Sequence, residues 1–255
     1  MMNQGCWANS TSKCDGKLTL EHDFSMGAWQ VEDPDANRKS KGATRVKVVG
    51  PGTTTIRSTL RTLGQRSLCE HHNNSSSVLD EEGKRFADAF RLYAERLRTT
   101  QGSGMRWTSK SIDIDGLLVE RWLLKTAVNM ARRVAPRDAV GGPGNPGKAT
   151  ATLVEIIFEG QPLTEGYGAW QITKPNQRVD LDRHVRSTVW GDRARGVIEG
   201  SVVGIWGLHF AVSLTSQVPD WDGIRRLLGW KGVEARRPYL GLNDRRVGLT
   251  LRLNW

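Results

Sequence analysis

Thiols and imidazoles crowd two short stretches near the start of the chain. Cys6, Cys14 and Cys69 are its only cysteines, and three of its five histidines, His22, His71 and His72, lie beside them in sequence. Thiolates and imidazoles bind zinc tetrahedrally, and a structural zinc site closes with four such ligands. Cys6, Cys14, Cys69 and His72 supply that number, with His71 an alternative to His72. The Cys69-x-x-His72 spacing suits a knuckle or a first helical turn, whereas Cys6 and Cys14 stand further apart than most zinc pairs. A metal would also let a segment with little hydrophobic core fold. The second chemistry is the dipeptide Glu21-His22. Histidine serves as a general base near neutral pH, and a neighbouring carboxylate can ligate a divalent ion. Adjacent side chains on a strand face opposite ways, so both serve one site only at a strand end or bend. Asp23-Phe24-Ser25-Met26 follows at once and allows that ending.

The elements that must position these groups are read from periodicity. Leu18-Thr19-Leu20 leads into Glu21 as a short strand. From Leu79 to Arg98, Phe86, Phe90, Tyr93 and Leu97 recur at helical steps, with Asp80, Glu81 and Glu82 in the first turn. A second, well-buried helix runs from about Asp115 to Val134. Asp113 and Asp115 read as its cap and first-turn acids. The run Gly141 to Gly147 is the strongest breaker in the chain and a boundary or exposed loop. Beyond it the pattern predicts strands at Thr152 to Phe158, Ala169 to Thr173, Gly196 to Val203, Leu208 to Leu214 and Val247 to Trp255. Alternation of Leu249, Leu251 and Leu253 with Thr250, Arg252 and Asn254 predicts a half-exposed antiparallel sheet.

Composition sets the class. The 255 residues, 38% hydrophobic and 25% charged, fit a soluble globular protein of one large or two modest domains. No apolar run approaches the ~20 residues that span a bilayer, and the N-terminus lacks the pattern of a secretory signal. Three cysteines argue against a disulfide framework and for reduced thiols in a cytoplasm. The net charge is +10, and residues 36–68 contain no acid while carrying Arg38, Lys39, Lys41, Arg45, Lys47, Arg57, Arg61 and Arg66. This uninterrupted positive stretch between the two ligand clusters suits phosphate contact. Ten tryptophans, among them Trp107, Trp190, Trp206, Trp221 and Trp230, offer stacking surfaces or core anchors. No dinucleotide fingerprint, P-loop or nucleophile elbow is present.

In order and flanking residues, Cys6…Cys14…Leu18-Thr19-Leu20-Glu21-His22-Asp23, followed by Cys69-Glu70-His71-His72-Asn73-Asn74, resembles the HNH endonuclease family with its ββα-metal core. The resemblance covers about residues 5–85. Gly64 stands near the place of the motif's middle asparagine. The resemblance implies hydrolysis of DNA phosphodiester bonds, with His22 matching the general base. Glu21 and Asn73 match ligands of a catalytic divalent ion, Mg²⁺ or Mn²⁺, and Cys6, Cys14, Cys69 and His72 match the zinc staple. The expected architecture is α+β. A zinc-stapled ββα module with the basic insertion (36–68) and a following helix occupies 1–100, and a helix with a mainly antiparallel β region occupies 101–255. The expected partner is nucleic acid, double-stranded DNA before others. The alternative is a non-catalytic, zinc-dependent nucleic-acid-binding protein with a degenerate HNH site.

Overall fold

The computed structural model describes residues 5–11, 13–22, 45–49, 55–59, 64–103, 106–144, 146–173, 187–192, 194–205, 208–228, 232–236, 242–244 and 247–255. The chain opens on a 3-10 turn, Asn9–Thr11, and reaches β1 (Leu18–His22). A two-stranded ribbon follows, β2 (Arg45–Val49) with β3 (Thr55–Thr59), and then β4 (Gly64–Cys69). β1 and β4 pair antiparallel, with Leu18 opposite Cys69 and His22 opposite Gly64, and the register shifts between Thr19 and Leu20. Helices α1 (Glu70–Ser75) and α2 (Ser77–Ser103) continue directly from β4.

The second half is built around α3 (Gly116–Val134), which β5 (Lys110–Asp115) precedes. Asp115 caps α3: its Oδ1 accepts from the Leu118 backbone N–H at 3.0 Å. The fourth helix, α4, spans Ala151–Phe158, and a fifth, α5, spans Trp221–Leu228. The main sheet has six strands: β6 (Ala139–Val140), β7 (Gly168–Thr173), β8 (Ser187–Asp192), β9 (Val197–Ile205), β10 (Leu208–Ser213) and β11 (Gly232–Arg236). Its order is β11-β7-β10-β9-β6, with β8 also paired to β9. A separate three-stranded sheet joins β12 (Leu242–Asp244), β13 (Leu249–Asn254) and β5.

One expectation changes here. The run predicted as a strand at Thr152 to Phe158 is the helix α4. Its buried residues Leu153, Val154, Ile156 and Ile157 recur at helical steps, and Thr150 caps it by accepting from the Leu153 N–H. Four β-branched or leucine side chains imitate a buried strand when only a short apolar run is read. The C-terminal β region is mainly antiparallel as expected, with two parallel pairings, β13 with β5 and β6 with β9. The mixed α+β character stands.

One hydrophobic cluster runs from Cys6 and Trp7 through Phe86, Phe90, Trp122 and Val128 to Phe210 and Leu251. Helix α3 is its axis, buried almost throughout its middle from Trp122 to Ala131. α2 packs tightly on α3 because Gly83 leaves room for the indole of Trp122; a Cβ there would lie 2.4 Å from the ring. Glu82, also buried on α2, accepts from the Asp115 N–H at 2.7 Å and so ties α2 to the start of α3.

Candidate metal centre and an adjoining charged network

Backbone hydrogen bonds draw the N-terminal turn onto the β1–β4 pair. Trp7 N–H donates to Ser67 O, Glu70 N–H to Lys17 O, and Ala149 N–H to Trp7 O, each at 3.0 Å. The Trp7 indole is fully buried, donates from Nε1 to Asn129 Oδ1 at 3.0 Å, and lies 5.5 Å from the Phe158 ring. Trp7 anchors this turn, a role composition alone does not separate from that of nine other tryptophans. The turn delivers Cys6 and Cys14, the end of β4 delivers Cys69, and the first turn of α1 delivers His72.

The four ligand atoms of Cys6, Cys14, Cys69 and His72 lie within 4.8 Å of one another. His72 Nδ1 is 3.1 Å from Cys69 Sγ, 3.7 Å from Cys14 Sγ and 3.8 Å from Cys6 Sγ. A tetrahedral zinc with ordinary bond lengths separates a sulfur from a nitrogen by about 3.5 Å, so this spread brackets the expected edge. All three cysteines are free thiols. The donor set therefore fits a structural metal such as zinc. His72, 2% exposed, is the imidazole of the group, while His71 is on the surface. This settles the choice between the two histidines. The wide Cys6–Cys14 interval contains the Asn9–Thr11 turn, and the Asn9 N–H donates to Cys6 O at 3.2 Å.

Burial pushes the Cys6 and Cys14 thiols up, and Cys6 and Cys69 raise Cys14 further. Burial, and then His71, push His72 down to about 4. The imidazole is thus in the neutral form that ligates metal. The thiols need a cation to favour the thiolates, which is what a bound divalent metal supplies.

Glu21 lies deeper than a surface dipeptide would. It is 5% exposed, and its Oε1 accepts from Lys125 Nζ at 2.8 Å. The same ammonium donates to Asp80 Oδ2 at 2.7 Å and Ser76 Oγ at 2.9 Å. Lys125 is itself 1% exposed, on the core-facing side of α3. Burial raises the Glu21 carboxyl, with Lys125 opposing. The network joins β1, the first turn of α2 and the middle of α3. In the sequence Asp80 reads only as a first-turn acid of the helix, and Lys125 carries no motif that marks this role. The available signal was a lysine directly after Trp122-Leu123-Leu124 in a helix that reads as well buried.

His22 closes β1 opposite Gly64 in the backbone, and its side chain lies outside the described residues. Asn73 is half-buried on α1, next to His72; the polar partners of Glu21 are Lys125 and Asn129. Arg45, Lys47 and Arg57 are placed on the β2–β3 ribbon by their backbones, and Arg66 is exposed on β4. Arg38, Lys39, Lys41 and Arg61 lie outside the described residues. No described helix is long and apolar enough to cross a membrane.

Comparison with family models, with curated proteins and with solved structures gives no match to this chain, and its function is read from its own residues.

Proposed function

We propose that the protein is an HNH-type endonuclease that hydrolyses DNA phosphodiester bonds, with His22 as general base. One arrangement carries this reading. Strand β1, strand β4 and helix α1 follow in ββα order, the Cys3His group staples the end of the strand pair where Leu18 faces Cys69, and Glu21-His22 ends β1 at the other end, where His22 faces Gly64. In the proposed reaction the His22 imidazole takes a proton from water as its oxygen attacks phosphorus, and the bond to the 3′ oxygen breaks. A divalent ion bound at such a site supplies charge neutralisation on the phosphate. Glu21 and Asn73 are the residues that the HNH resemblance offers for it. The basic stretch is the proposed DNA contact. A two-stranded ribbon such as β2–β3, bearing Arg45, Lys47 and Arg57, has dimensions that a major groove admits.

The test is cleavage of supercoiled plasmid with Mg²⁺, with Mn²⁺ and with chelator, comparing wild type with His22→Ala. The expected result is cutting by wild type that His22→Ala abolishes while DNA binding persists. A wild type that leaves every DNA and RNA substrate intact rejects the nuclease.

The burial of Glu21 against Lys125 favours a second reading, a zinc-dependent nucleic-acid-binding protein that no longer cuts. Binding that weakens steeply with salt, in the absence of cleavage, selects this one, because phosphate contacts release counterions.

A further inference from the structure

A buried carboxylate needs a compensating charge, and a buried lysine needs acceptors for each of its N–H groups. Here each meets the other's need. Lys125 has three N–H donors and three close acceptors: Glu21 Oε1, Asp80 Oδ2 and Ser76 Oγ, all within 2.9 Å. Its aim is fixed from both sides along α3. Trp122, one turn before, fills the space above Gly83 of α2, and Asn129, one turn after, accepts from the Trp7 indole.

We infer that Lys125 is the resident cation of the Glu21 site, its ammonium standing where the HNH pattern places a divalent ion. The inference rests on the HNH-type reading of the module and revises one part of it. Two physical arguments support it. Mg²⁺ and Mn²⁺ keep several waters in a near-octahedral shell, and the Glu21 and Lys125 side chains are only 6% and 2% exposed. An ion on the same carboxylate oxygen would also lie within about 5 Å of Nζ and be repelled by it. Lys125 is a positioning residue on this view. It fixes Glu21, the residue before His22, against the first turn of α2, and it does so from a helix that lies outside the stretch resembling HNH proteins. A divalent ion that served hydrolysis would have to be held without Glu21.

The experiment is titration of the full chain with Mn²⁺, followed by electron paramagnetic resonance, in wild type, Glu21→Gln, Lys125→Met and the double variant. Glu21→Gln should change Mn²⁺ affinity by less than about twofold. Lys125→Met leaves Glu21 and Asp80 facing each other and should gain a Mn²⁺ site at least about tenfold tighter than any wild-type site, lost again in the double variant. A wild-type site weakened tenfold or more by Glu21→Gln overturns the inference, as does a folded Lys125→Met protein with no added site. Should Lys125→Met fail to fold, the Glu21→Gln comparison decides alone. Plasmid cleavage is scored separately. A Glu21-dependent Mn²⁺ site with cleavage keeps the nuclease and rejects the resident cation. Unchanged Mn²⁺ binding in Glu21→Gln without cleavage does the reverse.

Discussion

Two clusters at neighbouring positions handle charge in opposite ways. In the Cys3His group the Cys6 and Cys14 thiols must become anionic around a metal while His72 ligates as a neutral imidazole, whereas Glu21, Asp80 and Lys125 pair their charges with one another. For the first, replacing Cys69 with Ser or His72 with Ala should drop bound zinc from about one per chain to none, read by metal analysis of the purified protein. Proton release gives a further check. Cys6 and Cys14, pushed up by burial, are protonated at pH 7 and must each lose a proton on metal binding. His72, depressed to about 4, is already neutral and releases none. Zinc uptake measured calorimetrically should therefore show a heat that depends on the ionisation enthalpy of the buffer. A buffer-independent heat would contradict the protonated thiols.

At the scale of elements, short caps and one aromatic plug decide how the pieces dock. Asp115 is placed by the alternating pattern of β5 and holds the first turn of α3, so Asp115→Ala should cost about 1 kcal/mol in urea unfolding. Trp7 has a larger task, since it ties the N-terminal turn to β4, α3 and α4 through Ser67, Asn129 and Phe158. Trp7→Ala should destabilise by about 3–5 kcal/mol and loosen zinc, whereas Trp7→Phe should retain the metal with a smaller loss. Equal zinc retention in both variants would separate the turn's packing from its ligands. Helix α4 shows where reading stops at this scale. Leu153 to Phe158 has the composition of a strand, and only Thr150 and the space against Trp7 and His72 turn it into a helix.

Across the whole molecule, the N-terminal module and the later half share one core. Cys6, Trp7 and Leu68 pack in the same cluster as Val212 and Leu251, with α3 between them. A fragment ending at residue 103 would lose Trp122, Lys125 and Asn129, leaving the Trp7 indole without its acceptor and Glu21 without its cation. That fragment should lack cooperative unfolding and a dispersed amide spectrum, even with zinc. A well-dispersed spectrum would show that the staple suffices without α3. Removing the metal from the full chain with a strong chelator should lower Tm, because metal-binding free energy adds to folding free energy.

Residue types and spacing were enough to gather the metal group, Cys6, Cys14 and Cys69 with one imidazole of the His71-His72 pair, because soft donors are rare and each cysteine present was used. They were also enough to find the two long helices, whose apolar steps are strong and repeated. The sequence could not choose between His71 and His72, since adjacent residues differ only in which way the helix turns them. Nor could it pair Glu21 with Lys125, 104 positions later. Helix α3 has no local reason to carry a buried ammonium; the partners that make it tolerable come from β1 and α2. Charge burial depends on what the rest of the fold brings within 3 Å, and that was decided by tertiary structure alone.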